Sequence, residues 1–212
     1  MSKIVSLKKE MRNDNWRDEK KELDTNTTWF KKFYDDNKLE TRHKKTIFIV
    51  DCDGVMTDGR SYFDKDGKYA KSYGSYDKEA IQFAVDVCKD QIIFVTDDKE
   101  GFPITSARID KLIDSVSESN NIAKSKMNWK EREMLVMQIR DESYFNKIDV
   151  DIVFIGDSFS DIPAMSRADY AFTTNNAPKQ VREYANYTST TNGGIGALSE
   201  IIFTYYEMAR LV

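Results

Sequence analysis

The stretch Ile47-Phe48-Ile49-Val50-Asp51-Cys52-Asp53-Gly54-Val55-Met56-Thr57-Asp58-Gly59 decides how the chain is read. Its apolar, β-branched start reads as a parallel strand buried on both faces, and it stops at two carboxylates one residue apart, followed by glycine. Asp and Gly are also ordinary turn residues. Against a mere turn stand the four apolar residues leading straight into the acids, and a second acidic strand end downstream. There Asp151-Ile152-Val153-Phe154-Ile155 runs into Gly156-Asp157-Ser158-Phe159-Ser160-Asp161. In an open α/β sheet, ligands bind at the carboxyl ends of strands, so Asp51 and Asp53 stand where a hard cation can be held and a nucleophile offered.

The segment from Arg60 to Tyr73 carries Asp66-Gly67 between aromatic flanks, a two-residue hairpin signal. Apolar spacing predicts helices over 77–88, 103–113, 130–142, 162–167, 178–184 and 195–211. Between them, strands are expected at 91–95, 114–117, 151–155, 170–173 and 187–190. Strands alternating with helices indicate an α/β fold, a parallel sheet covered on both faces in a three-layer, Rossmann-like sandwich. Residues 1–45 form a charge-dense N-terminal extension, and 46–212 the main domain. In the extension a helix is expected over 27–39, its aromatic face of Trp29, Phe30, Phe33 and Tyr34 packing on the main domain or another subunit. The part before Asp24 has the composition of a partly disordered segment.

The 212 residues carry 32 basic and 36 acidic side chains, a net charge of −4. That balance argues against a general nucleic-acid or anionic-membrane binder. Cys52 and Cys88 make no disulfide framework and read as reduced, buried fillers of a cytoplasmic protein. No signal peptide or membrane span is evident. A single histidine, His43, lies among Arg42, Lys44 and Lys45 and reads as a solvated side chain; it leaves no room for a His-rich zinc site.

Such a sheet brings Asp51, Asp53, Thr96, Lys130, Asp157 and Asp161 to one edge. Clustered carboxylates repel one another, and Mg²⁺ removes the difficulty through Asp51, Asp157 and the backbone carbonyl of Asp53, with Asp161 binding or orienting that shell. Phosphoryl transfer then has its parts. Asp51 is the nucleophile, Asp53 the general acid and base, and Thr96 and Lys130 stabilise the phosphoryl oxygens. Among nearby lysines, Lys130 is preferred over Lys124 and Lys126 because it opens a helix after Asn128-Trp129.

Asp51-x-Asp53-Gly54-Val55-Met56-Thr57-Asp58-Gly59 resembles motif I of the haloacid dehalogenase superfamily of phosphotransferases, and the roles above match its motifs I to IV. More narrowly it resembles the capless branch typified by 3-deoxy-D-manno-octulosonate 8-phosphate phosphatase, as do Ala168-Asp169-Tyr170-Ala171, Ala177-Pro178 and Asn192-Gly193-Gly194-Ile195-Gly196-Ala197. The resemblance implies a projecting β-hairpin in place of a cap domain, assembly of a homotetramer through it, and a small phosphomonoester substrate such as a phosphorylated 3-deoxy sugar acid. Two departures bear on the substrate. Tyr76-Asp77-Lys78 keeps only the aspartate of the branch's Arg-Asp-Gly triplet, and Asp97 follows Thr96 in place of Gly-Arg. Rival readings are a nucleotide or polynucleotide 3′-phosphatase and a non-catalytic assembly module.

Overall fold

The computed structural model describes residues 25–41 and 44–208; His43 and the stretch before Thr25 lie outside them. Helix α1 (Thr25–Asp36) precedes β1 (Lys45–Asp51), a wide turn at Cys52–Met56, and the antiparallel hairpin of β2 (Thr57–Asp64) and β3 (Gly67–Tyr73). There follow α2 (Asp77–Gln82, continued by a wider turn at Phe83–Val87), β4 (Gln91–Thr96), α3 (Phe102–Ile113), β5 (Ile122–Lys126) and α4 (Trp129–Asn146). The chain continues with β6 (Val150–Ile155), α5 (Ile162–Met165), β7 (Tyr170–Thr173), α6 (Lys179–Arg182), β8 (Tyr187–Thr188) and α7 (Ala197–Met208).

One sheet runs β5-β4-β1-β6-β7-β8, every neighbouring pair parallel. Asp51 lies in register with Val95, and Val50 with Ile155, so β1, β4 and β6 finish at the same edge. Central β1 is apolar on alternate residues toward both faces. Phe48 and Val50 join a core beneath α2, α3 and α7, whereas Ile47 and Ile49 join a core with Val136 of α4 and Met165 of α5. This is the burial that its continuous apolar run requires.

Helix α1 packs on the domain itself. Trp29 meets Phe203 with ring centroids 4.8 Å apart, Phe33 meets Phe83 at 5.3 Å, and Phe30 meets Phe83 at 5.4 Å. At the sheet edge opposite the acids, hydroxyls of α7 lock that helix to the strands. Tyr205 donates to Asp151 at 2.9 Å and Tyr206 to Asp90 at 2.7 Å. Asp90 also accepts from the backbone N–H of Thr46 at 2.9 Å.

Two expectations shift. The strand expected at 114–117 is instead the turn after α3, with Ser115 N–H donating to Leu112 O. The strand proper, Ile-Ala-Lys-Ser-Lys at Ile122–Lys126, borders the sheet and among the described residues pairs only with β4, so it needs no apolar run and lacks the pattern of a buried strand. In the hairpin, the two-residue turn is Lys65-Asp66, and Gly67 (φ +120°) opens β3 opposite Asp64. Among the described residues no helix is long and apolar enough to cross a membrane. Both cysteines are buried free thiols.

Candidate active site

Strand β1 delivers Asp51, only 4% exposed, to the sheet edge, and the chain must then turn sharply beneath β6. Gly54 makes that turn possible. Its φ is +92°, and a Cβ there would lie 1.9 Å from Asp157 Oδ2, so only glycine lets the turn pass under that carboxylate. From the other side, Gly193 is pressed against the same turn, where a Cβ would meet Gly54 O at 1.8 Å. The Gly-Gly segment is therefore part of the wall of the site. Glu200 pins it by accepting from the Thr191 N–H at 3.0 Å, the Thr191 hydroxyl at 2.6 Å and the Thr190 N–H at 2.6 Å.

Asp51, Asp157 and Asp161 converge, each offering a carboxylate oxygen within 4.8 Å of the others. Burial, and then the charge of Asp161, push the Asp51 carboxyl well above the usual range. The same two causes, burial first, push Asp157 up to about 7. Among the described residues, buried Asp157 Oδ1 has no hydrogen-bond partner. Asp161, fully buried, is committed to the chain: Oδ2 accepts from the Asp157 and Ser158 N–H groups at 3.1 and 3.0 Å, and from the Ser158 hydroxyl at 2.8 Å. It thus shapes the start of the turn that carries Asp157.

The described residues answer these acids with Arg132. Its Nη2 lies 3.0 Å from Asp51 Oδ1, its Nη1 2.5 Å from Asp161 Oδ1, and its Nε donates to Met127 O at 3.1 Å. Asn128 caps α4 in a reciprocal capping box with Glu131, which fixes the helix start and aims Arg132 inward. Lys130, expected here, is not brought to the acids. It is exposed, and its Nζ sits over the Trp129 ring, 5.2 Å from the centroid. The other two lysines turn elsewhere, Lys126 over the Phe102 ring at 5.3 Å and Lys124 to Asp110.

Asp53 stands apart from the three-carboxylate cluster and is held on both oxygens. Oδ1 accepts from Lys71 Nζ at 2.6 Å, and Oδ2 from the Thr96 hydroxyl at 2.8 Å. Thr96 therefore reaches the site, but its hydroxyl is turned to Asp53. Nothing local in the sequence marks Lys71 as buried, because it stands in a hairpin strand among other lysines. Arg132 carries a usable signal: it continues the inward face of Val136 and Ile139 by one helical turn toward the sheet edge.

Among the described residues only oxygen ligands converge on the cluster, the donor set of a hard cation such as Mg²⁺. The orphaned Asp157 oxygen and the upward shifts of Asp51 and Asp157 mark a place where positive charge is wanted, so the residues present fit a divalent ion.

A family model described as haloacid dehalogenase-like hydrolase matches residues 19–202. The chain is 27% identical over 153 residues to the 3-deoxy-D-manno-octulosonate 8-phosphate phosphatase of Haemophilus influenzae, covering 72% of this chain and 78% of that protein. The cobalt-bound structure of the deoxy-D-mannose-octulosonate 8-phosphate phosphatase from Haemophilus influenzae superposes with a TM-score of 0.63 at 24% identity, over 80% of this chain and 90% of that one. The Moraxella catarrhalis 3-deoxy-D-manno-octulosonate 8-phosphate phosphatase, crystallised with magnesium, phosphate and the sugar acid, gives a TM-score of 0.59 at 21% identity, over 84% and 91%. These structures share the fold described above, and the family match spans nearly the whole of it. The chain belongs to the haloacid dehalogenase-like hydrolases.

Proposed function

We propose that this chain is a Mg²⁺-dependent phosphatase of small phosphomonoesters, with a phosphorylated 3-deoxy sugar acid as its substrate class. The observation that carries the reading is the convergence of Asp51, Asp157 and Asp161 at the strand ends, with the Asp53 carboxylate held two residues beyond the nucleophile. Asp51 and Asp157, with the Asp53 carbonyl, would hold the ion, and Asp161 orients Asp157. When bound, the ion neutralises the acids and draws charge from the phosphoryl oxygens.

The rest belongs to the side chains. An Asp51 oxygen attacks phosphorus as the bond to the leaving oxygen breaks, and Asp53 gives that oxygen its proton. Water then attacks the aspartyl-phosphate, its proton passes to Asp53, and phosphate leaves. Arg132, beside Asp51, takes the charge-stabilising role first expected of Lys130. Similarity to sugar-acid phosphatases supports the substrate class.

The test is phosphate release from sugar-acid phosphates, sugar phosphates, nucleotides and 3′-phosphorylated oligonucleotides, with Mg²⁺ or EDTA. Turnover is expected with Mg²⁺ only, and best on a sugar-acid phosphate. A preference for oligonucleotides would replace that substrate class by nucleic-acid ends, and turnover unaffected by EDTA would remove the metal.

We also infer a cytoplasmic homotetramer assembled through the hairpin, whose Tyr62, Phe63 and Tyr69 are 43%, 59% and 59% exposed. Light scattering should give the mass of four chains. A monomer mass would remove the assembly.

A further inference from the structure

We infer that Lys71, delivered by the hairpin, is a positioning residue that sets the Asp53 carboxylate for its second task, taking the proton of the water that cleaves the aspartyl-phosphate. The inference rests on the phosphatase reading above. No part of the Lys71 side chain is exposed. Its ammonium donates to Asp53 Oδ1 at 2.6 Å and Thr105 Oγ1 at 3.0 Å and forms an ion pair with Asp98 Oδ2 at 2.8 Å. A lysine held in this way has little freedom to be anything but a fixed donor.

The acceptors are themselves fixed. Asp98 accepts from the Gly101 N–H at 2.9 Å and pairs with Lys68 at 2.5 Å. Thr105, fully buried on α3, also accepts from the Tyr73 hydroxyl at 3.1 Å. Glu100 accepts from the Lys68 N–H at 2.8 Å, so β3 is tied along its length to the loop that follows β4. The hairpin is thereby anchored over its own chain's site, and Lys71 is the point at which it grips a reacting group.

Asp53 needs such a grip. It sits in a turn of non-helical backbone beside Gly54, and nothing in that turn fixes its side chain. With Lys71 on one oxygen and Thr96 on the other, the carboxylate plane is set, and each oxygen keeps a lone-pair direction open. Orientation of this kind matters, since a displacement of about 1 Å at a reacting group can cost roughly a hundredfold in rate.

In the second half-reaction water oxygen bonds to phosphorus, the bond from phosphorus to the Asp51 oxygen breaks, and the water proton moves to Asp53. If Lys71 sets that step, its loss must slow removal of the phosphoryl group more than its arrival. An aryl phosphate shows this cleanly, because a phenolate leaves with little help from an acid.

The experiment is acid-quench trapping of phosphoenzyme from a labelled aryl phosphate with Mg²⁺, on wild type, Lys71→Met, Lys71→Gln and Asp53→Asn, with melting curves for each. Lys71→Met is expected to lower steady-state turnover by about 10–100-fold while raising the trapped fraction, with Asp53→Asn doing the same more strongly. Lys71→Gln, which keeps a donor and loads the core less if Met does not fold, should fall between. Either folded Lys71 variant losing turnover without a rise in trapped phosphoenzyme would reduce Lys71 to a structural role and overturn the inference, as would unchanged turnover. Absence of phosphoenzyme in every protein, Asp53→Asn included, would instead overturn the aspartyl-phosphate mechanism on which it rests.

Discussion

Asp51→Asn is expected to reduce Mg²⁺-dependent phosphate release by roughly 10⁴-fold or more, the scale on which loss of a nucleophile falls. The amide keeps the shape of the carboxyl but cannot form the aspartyl-phosphate. It also removes one of three converging acids, so the ion would be held less well. The pH dependence of stability is expected to change with it. In the metal-free wild type the folded state holds Asp51 above its unfolded carboxyl pKa, because burial and Asp161 disfavour the charge. A group raised in this way makes the folded state lose stability as pH climbs through the ordinary carboxylate range toward its folded value. The asparagine has no such loss. Melting temperatures in EDTA should therefore favour Asp51→Asn over wild type more at pH 8 than at pH 4. Phosphate release and four melting curves, both proteins at both pH values, check both halves, and turnover that survives the substitution would remove Asp51 as nucleophile.

The part of this site that was legible in the sequence is the part made by single strands. Phe48 to Val50 and Val153 to Ile155 are continuous apolar runs because both faces of the sheet are covered, and an acid ending such a run can only stand at the sheet edge. Two of these runs place Asp51, Asp53 and Asp157 at the sheet edge, and the parallel order of β1 beside β4 and β6 brings Asp51 and Asp157 together, with Asp53 held apart by Lys71 and Thr96. Strand β5 escapes detection for the converse reason, since an edge strand is free of the pattern that betrays a central one.

The cations were harder, because partners distant in sequence decide them. Lys71 meets Asp53 across 18 positions only after the hairpin folds back on the loop at Asp98. Lys130 and Arg132 are two residues apart in a run of alternating charge that reads as a solvated helix face. What separates them is helix phase. The Asn128 cap fixes where α4 begins, and a step of four residues from Val136 falls on Arg132, whereas Lys130 points away. Substrate recognition was the least legible of all, for it depends on side chains from several loops at once.

That difference in phase gives the second large effect. Arg132 is 2% exposed and is the cation in direct contact with both Asp51 and Asp161, so Arg132→Met leaves two buried carboxylates facing one another in a space of similar size. Breaking a buried pair on one side costs about 3–5 kcal/mol, which in a chain of this length lowers the melting temperature by roughly 10 °C. The cost should be largest in EDTA. A divalent ion at the acid cluster supplies the missing charge and binds only the folded chain, so millimolar Mg²⁺ should recover more stability in Arg132→Met than it adds to wild type. Turnover should not recover with it, because a donor beside the nucleophile is then absent, a loss of roughly 10²–10³-fold by analogy with removal of one oxyanion donor. Lys130→Met, at an exposed residue over Trp129, is expected to change neither quantity appreciably. Melting in EDTA and in Mg²⁺, paired with phosphate release, reads all of this from two variants. The opposite pattern, with activity lost in Lys130→Met and kept in Arg132→Met, would return the charge-stabilising role to the lysine and require α4 to turn during catalysis.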